Sequence, residues 1–309
     1  MSTARSLKGM FSSGRMTVAP GAYDCITARL VEEAGFAAVY MTGAGTSLAH
    51  GLPDYGLLTM TEMVANARRI TSTIGVPLIA DSDTGYGNEL NMFRTVQEYE
   101  RAGVAAIHVE DQVFPKKCGH LEDKELISLD DYVAKIRAAV AARQSRDFTI
   151  IARTDSRAGL GLEEAVRRAN AAIDAGAEMA FVEAPQTLAE VEAVPKLVKA
   201  PCLLNIVSGG KTPNVDFAEA ERMGYGLAIL PSLLIRGIIE TCDELLAETK
   251  RHGRTAGPLR RVDPGAADAP GLRGPAATFA RFGAAEWDRR RTEFRVAVRP
   301  KASGRNAAE

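Results

Sequence analysis

The stretch Ala106-Ile107-His108-Val109-Glu110-Asp111, followed closely by Pro115-Lys116-Lys117-Cys118-Gly119-His120, decides the fold class. The first segment reads as a short buried strand ending in two carboxylates. The second reads as a loop that holds one thiol between two lysines and a histidine, with a glycine to let the backbone turn. Nearby cations favour thiolate over thiol, so such a cysteine can exchange a proton near neutral pH. A reactive cysteine on a loop just past a strand end is where a barrel enzyme keeps its chemistry. The plainer alternative is a solvated loop with an incidental cysteine, and the carboxylates on neighbouring strand ends weigh against it.

Outward from this strand, short apolar runs alternate with longer amphipathic ones. Strands are expected at Met16–Pro20, Ala37–Met41, Pro77–Asp81, Ala106–Glu110, Phe148–Arg153, Met179–Glu183, Cys202–Ile206 and Gly226–Leu230. They are rich in Val, Ile and Leu, as strands covered on both faces are. Helices are expected at Tyr23–Ala34, Thr61–Ile74, Glu89–Ala102, Leu129–Arg143, Leu162–Ala175, Leu188–Val198, Asp216–Met223 and Leu233–Arg251. Several close on a glycine able to take the left-handed conformation, as in Ala34-Gly35 and Met223-Gly224. Eight βα units predict an α/β fold, a (β/α)₈ TIM barrel over residues 1–254. An open doubly wound sheet would need a glycine-rich first turn, which is absent. The Gly-, Pro- and Arg-rich segment 255–275 reads as a linker. Within 276–309, Ala276–Phe294 regains helical periodicity with Phe279, Phe282, Trp287 and Phe294; it packs either on a neighbouring subunit or back on its own barrel.

The 309 residues carry a net charge of −1, with 46% hydrophobic and 25% charged residues. No basic excess points to nucleic acid, and no apolar run approaches the roughly 20 residues that span a bilayer. Met1 to Gly14 has no apolar core of signal-peptide length, so the reducing cytoplasm is the expected location. The four cysteines lack metal or disulfide spacing; Cys25, Cys202 and Cys242 read as buried structural thiols.

The third strand ends Ala80-Asp81-Ser82-Asp83-Thr84-Gly85. With Glu110 and Asp111 this gathers carboxylates at one barrel mouth, where they would raise each other's pKa. A hard divalent cation resolves that, held by Asp83 with Asp81 and Glu110 directly or through water; a solvated acidic rim, or pairing with Arg153, is the alternative. Thr42-Gly43-Ala44-Gly45 follows the second strand and can expose N–H groups to an anion, or form a plain turn. Gly209-Gly210-Lys211-Thr212 lacks the earlier glycine of a phosphate-binding loop, since position 205 is Asn205. Asn205, Lys211 and Thr212 instead offer donors for a carboxylate. Arg153 ends the fifth strand and Glu183 the sixth; Arg153 serves as a carboxylate clamp, or pairs with Glu183 or Asp155, or does both. His108, inside a strand, reads as a satisfied buried residue.

At these residues the chain resembles the isocitrate lyase/phosphoenolpyruvate mutase superfamily. The resemblance runs from about Met16 to Arg251 and rests on Thr42-Gly43-Ala44, Asp54, Asp81 through Gly87, Val109-Glu110-Asp111-Gln112, Pro115 through His120, Ala152-Arg153-Thr154-Asp155, Glu183-Ala184 and Gly209 through Pro213. It implies a (β/α)₈ barrel, Mg²⁺ (or Mn²⁺), a gating loop carrying the cysteine, and an eighth helix swapped in a dimer of dimers, hence a homotetramer. Substrate contacts are then Thr42, Gly43, Ala44, Asp54, Arg153, Glu183, Asn205, Lys211 and Thr212. Members with Lys-x-Cys-Gly-His are mostly lyases of 2-hydroxy di- or tricarboxylates. Val207-Ser208-Gly209-Gly210-Lys211-Thr212-Pro213 looks most like the branch of dimethylmalate lyases and oxaloacetate hydrolases, departing at Ser208 where glutamate is usual. The expected chemistry is retro-aldol or retro-Claisen cleavage releasing an α-keto acid. Cys118 is the general acid, Lys116 and His120 tune it, Arg153 holds a carboxylate or oxyanion, and Tyr40 or a metal-bound water is the base. The other expectations are an oxaloacetate hydrolase or decarboxylase on the same metal site, and a barrel that binds a dicarboxylate without catalysis.

Overall fold

A computed structural model describes residues 7–11, 14–119, 121, 123–254 and 275–296. The strands are β1 (Thr17–Ala22), β2 (Val39–Met41), β3 (Leu78–Asp81), β4 (Ala106–Glu110), β5 (Thr149–Thr154), β6 (Met179–Val182), β7 (Cys202–Asn205) and β8 (Tyr225–Leu230). They close into one parallel barrel in sequence order, with β8 pairing back to β1. The helices are α1 (Lys8–Phe11), α2 (Cys25–Glu33), α3 (Gly43–Ala49), α4 (Met60–Thr71), α5 (Glu89–Arg101), α6 (Leu129–Ala142), α7 (Arg157–Asp174), α8 (Leu188–Leu197), α9 (Phe217–Met223), α10 (Leu233–His252), α11 (Pro275–Arg281) and α12 (Ala284–Val296). The chain forms two compact units, Met1–Cys242 and Asp243–Glu309, so the division falls inside α10.

Helix starts follow local chemistry. At α4 the Thr59 side chain accepts from the Glu62 N–H while Glu62 reaches back to Thr59, a closed capping box. At the end of α9, Gly224 turns with φ 105°. Two elements differ from expectation. The segment after β2 is the helix α3, begun by Thr42, whose hydroxyl accepts from Gly45 N–H. The tail periodicity is split into α11 and α12 at Gly283, which has φ 84°.

The barrel strands alternate strictly, and this builds the site. Ile79, Ala106, Ile151, Phe181, Leu203 and Ile229 share one apolar cluster, while Ala80, Ile107, Ile150 and Ala152 belong to another. The first set faces the barrel axis and the second faces the helices. Two residues beyond an inward apolar residue comes an inward polar one: Asp81 after Ile79, His108 and Glu110 after Ala106, Arg153 after Ile151, Glu183 after Phe181, and Asn205 after Leu203. Of the cysteines read as buried, only Cys202 is; Cys25 is half-buried and Cys242 is exposed on α10. The apolar letters around Cys242 belong to a helix none of whose residues is buried.

Candidate active site

Inward strand ends and the loop after β4 enclose a cavity of about 190 Å³, lined by Tyr40, Asp81, Cys118, Arg153, Glu183 and Asn205 among others. Thr42, Ala44 and Asp54 also line it, so the structure brings most of the expected substrate contacts together. Gly43 contributes differently. Its N–H donates to Asp81 Oδ2 at 3.2 Å, and an added Cβ would collide with that carboxylate. The expected open anion nest is thus a helix start closed by Asp81. Lys211 and Thr212 are not among the described residues lining the cavity, and the Thr212 hydroxyl is buried without a hydrogen-bond partner. His120 lies outside the described residues.

Asp81 and Asp83 are not held as consecutive inward residues of a strand. β3 ends at Asp81, and Asp83 turns with φ 47°, its N–H donating to Asp81 Oδ1 at 3.0 Å. The Asp83 carbonyl accepts from Glu110 N–H at 3.0 Å, which binds this turn to β4. Lys116 projects from the cysteine loop between Asp54, at 2.5 Å, and Asp83 Oδ1, at 3.1 Å. Burial disfavours the Lys116 ammonium, but Asp83, Asp54 and Glu110 outweigh it and hold its pKa well above the usual lysine range. Burial pushes the Asp83 carboxyl up to about 6, with Asp81 and Asp54 adding to the rise and Lys116 opposing it. For Asp81, burial raises the pKa, but His108, Lys116 and Arg153 together bring it below the ordinary carboxylate value.

Arg153 forms a two-pronged grip on Asp155, with Nε at 2.8 Å and NH2 at 3.1 Å, and its NH1 lies 3.2 Å from Glu110 Oε2. The guanidinium sits 5.0 Å over the Phe181 ring. Tyr40 OH lies 2.8 Å from His108 Nε2 and 3.4 Å from Asp81 Oδ2. Burial, then Asp81, raises the Tyr40 phenol well above its usual value, so it keeps its proton. His108 is only half satisfied: Nδ1 has no partner, and burial lowers the ring to about 4.

Among the described residues, no three His, Cys, Asp or Glu side chains converge at ligand spacing for a metal. Yet both Glu110 oxygens and Asp83 Oδ1 are buried with no hydrogen-bond partner. Their compensation comes from two cations, Arg153 NH1 at 3.2 Å from Glu110 Oε2 and the Lys116 ammonium at 3.1 Å from Asp83 Oδ1. Buried carboxylates short of donors suit a hard cation that completes its shell with water and substrate oxygens. The residues therefore fit Mg²⁺ held mainly by one carboxylate.

The family model described as phosphoenolpyruvate phosphomutase matches residues 7–250. The chain belongs to this family. It is 47% identical over 258 residues to the 2,3-dimethylmalate lyase of Eubacterium barkeri, covering 83% of this chain and 89% of that protein. It is 43% identical over 247 residues to the 2-methylisocitrate lyase of Aeropyrum pernix, covering 80% of each. A solved oxaloacetate acetylhydrolase in complex with 3,3-difluorooxalacetate superposes with TM-score 0.86 at 34% identity, covering 97% of this chain and 99% of that one. The isocitrate lyase/phosphoenolpyruvate mutase superfamily thus holds the chain, which is an enzyme of lyase type, and members of this superfamily use divalent metals.

Three members of the site have no clear sequence signal. Arg236, at the start of α10, lines the cavity and donates to the Ser208 carbonyl at 2.6 Å. An arginine just past the last strand is the one clue to it. Asp155 is marked in the sequence only as a partner of Arg153 and by the match at Ala152 through Asp155, and nothing in the spacing marks Lys124. No helix among the described residues is long and apolar enough to cross a membrane.

Proposed function

We propose that the protein is a divalent-metal-dependent carbon–carbon lyase that cleaves an alkyl-substituted 2-hydroxy diacid into a 2-keto acid and a carboxylate. The observation carrying this reading is that Cys118 shares one small cavity with Tyr40, Asp81 and Arg153. That cavity also has an apolar side, formed by Leu48, Val207, Ile229, Ile235 and Ile239, which suits alkyl substituents better than a third carboxylate. Relatives named 2,3-dimethylmalate lyase and 2-methylisocitrate lyase support the reaction class.

Asp83, with Asp81 and Glu110 behind it, would hold Mg²⁺ or Mn²⁺, which when bound would supply Lewis-acid stabilisation of negative charge on the substrate oxygens. Arg153, already committed to Asp155, turns NH1 toward Glu110 and the cavity and binds a carboxylate. Tyr40, whose phenol burial and Asp81 hold well above its usual value, keeps its proton and donates to the substrate oxygen, which favours water of the two candidate bases. Water in the cavity takes the 2-hydroxyl proton and passes it to solvent; C2 becomes the keto carbon, the C2–C3 bond breaks and its electron pair passes to C3. The Cys118 thiol delivers its proton to C3, so the released carboxylate leaves saturated and the cysteine leaves as thiolate. Lys116, paired to Asp54 and Asp83, anchors the loop two residues before the thiol.

The second reading, hydrolysis of a 2-keto diacid, is favoured by the fold similarity to oxaloacetate acetylhydrolase and uses the same clamp and metal carboxylates. Replacing Cys118 by Ser tests the lyase. Turnover falls by roughly 10²–10⁴-fold while metal binding stays intact. Near-normal turnover in that variant would sink the mechanism.

The domain and assembly readings are part of the same proposal: a catalytic barrel over 1–254, a linker over 255–275, and a terminal segment over 276–309 that packs on a second copy. It is supported by α10, none of whose residues is buried, and by Phe279, Trp287 and Phe294, which are 63%, 69% and 70% exposed. A dimer of helix-exchanged dimers would cover these surfaces.

A further inference from the structure

The loop after β4 is tied down at separate points. Its two limbs pair at the base, with Val113 N–H on Glu125 O at 2.8 Å and Ile127 N–H on Asp111 O at 3.0 Å. Gln112 clasps the Lys117 backbone on both sides, at 2.8 and 3.0 Å, and Cys118 N–H donates to Asp54 O at 3.1 Å. Another tie is Lys124. From the returning limb, its ammonium donates to Gly119 O at 2.5 Å and to Asp155 Oδ1 at 2.9 Å. Asp155 Oδ1 is also the atom that receives Arg153 NH2, so one oxygen joins the cysteine loop to the carboxylate clamp.

Burial makes this tie conditional. The Lys124 side chain is 4% exposed and that of Asp155 is 0% exposed. An ammonium so placed is stable only with both partners present. The Asp155 backbone is pinned by its N–H on Asp111 Oδ1 at 2.8 Å, and its carboxylate by the two-pronged Arg153 grip. Nor does Gly119 have slack: an added Cβ would fall 2.5 Å from Arg153 NH2 and 2.7 Å from Glu183 Cγ. Gly119 therefore lies close against Arg153, and Lys124 holds it there by donating to its carbonyl.

We infer that Lys124 is a positioning residue: by bridging the Gly119 carbonyl to Asp155, it holds the Cys118 thiol over the cavity and keeps Arg153 aimed at it in the same stroke. Calling Cys118 the acid rests on the proposed function; the bridge itself does not. A segment lacking the Lys124 tie leaves Asp155 more often, and Cys118, half-buried with the tie in place, is then more open to solvent.

The test is alkylation of Cys118 by iodoacetamide in the full-length protein without substrate, read by mass spectrometry of the peptide carrying it. Lys124→Met, which keeps the length and loses charge and donors, is alkylated about tenfold faster or more, as expected on losing a charge-assisted hydrogen bond. Lys124→Arg, which restores both, stays near the wild-type rate, and thermal melting confirms that both variants fold. If Lys124→Met does not fold, Lys124→Gln replaces it. Loss of a nearby positive charge alone would lower the thiolate fraction and slow alkylation, so the sign separates positioning from electrostatics. Once an accepted acid is known, kcat falls in Lys124→Met and recovers in Lys124→Arg. Wild-type or slower alkylation in Lys124→Met, or an arginine variant no better than the methionine one, overturns the inference. If no acid is cleaved even by the wild type, the lyase reading fails while the alkylation rates still decide the role of Lys124.

Discussion

Asp83 is under load in both backbone and side chain. A non-glycine residue at φ 47° costs on the order of 1–3 kcal/mol, and persists where the surroundings over-determine it. Here the Glu110 N–H on its carbonyl and the Asp81 carboxylate on its own N–H do so. The strain turns a carboxylate that burial has pushed up to about 6 toward Lys116 at the barrel mouth. Such a residue is useful only with a cation. Asp83→Ala should weaken Mg²⁺ or Mn²⁺ binding by more than about tenfold in calorimetry, since even outer partners of metal ligands contribute that much. Unchanged binding heats would remove Asp83 from the metal site. Arg153 and Asp81 are legible in the sequence because strand-end position and residue type point the same way, and Cys118 because lysines flank it on the loop after β4. Lys124 and Arg236 are not, because their partners, Asp155 and Ser208, are set by how the loops fold and not by spacing.

Between elements, the mouth is braced by a second buried layer just outside the first. Asp111, following β4, accepts from Thr154 at 2.6 Å, from Asp155 N–H at 2.8 Å and from Arg168 of α7 at 3.1 Å. Arg168 also donates to the Ile127 carbonyl at 3.0 Å, so β4, β5, α7 and the loop share one knot. Removing a single partner from a buried pair leaves the other charge uncompensated. Asp111→Ala is therefore expected to cost about 3–5 kcal/mol in urea unfolding, read as a lower midpoint at unchanged slope. A loss within a few tenths would show that the knot is not a brace. The strand and helix elements are mostly legible in the sequence: β4 has the bounds its sequence implies, and most barrel helices begin and end within a few residues of expectation. α3 was missed for a physical reason. Gly43-Ala44-Gly45 has poor helix propensity, and the helix forms because Thr42 caps it and Asp81 takes its first N–H.

For the molecule as a whole, apolar surface remains uncovered in the single chain. Leu233, Ile238, Ile239 and Leu246 of α10 are all at least 38% exposed, a cost a soluble protein rarely carries without a partner. Deleting the chain from Ala256 onward should shift light-scattering mass to a smaller species and increase binding of an apolar dye. Assembly unchanged from the full chain would return the tail to its own subunit. What the molecule does with its barrel is tested most directly by one product analysis. The full-length protein is incubated with Mg²⁺ and a panel of 2-hydroxy and 2-keto diacids, with and without methyl substituents, and the products are identified. The account expects a methyl-substituted 2-hydroxy diacid to yield one 2-keto acid and one saturated carboxylate in equal amounts. Cleavage of the 2-keto diacids alone, or of none of the panel, would contradict it.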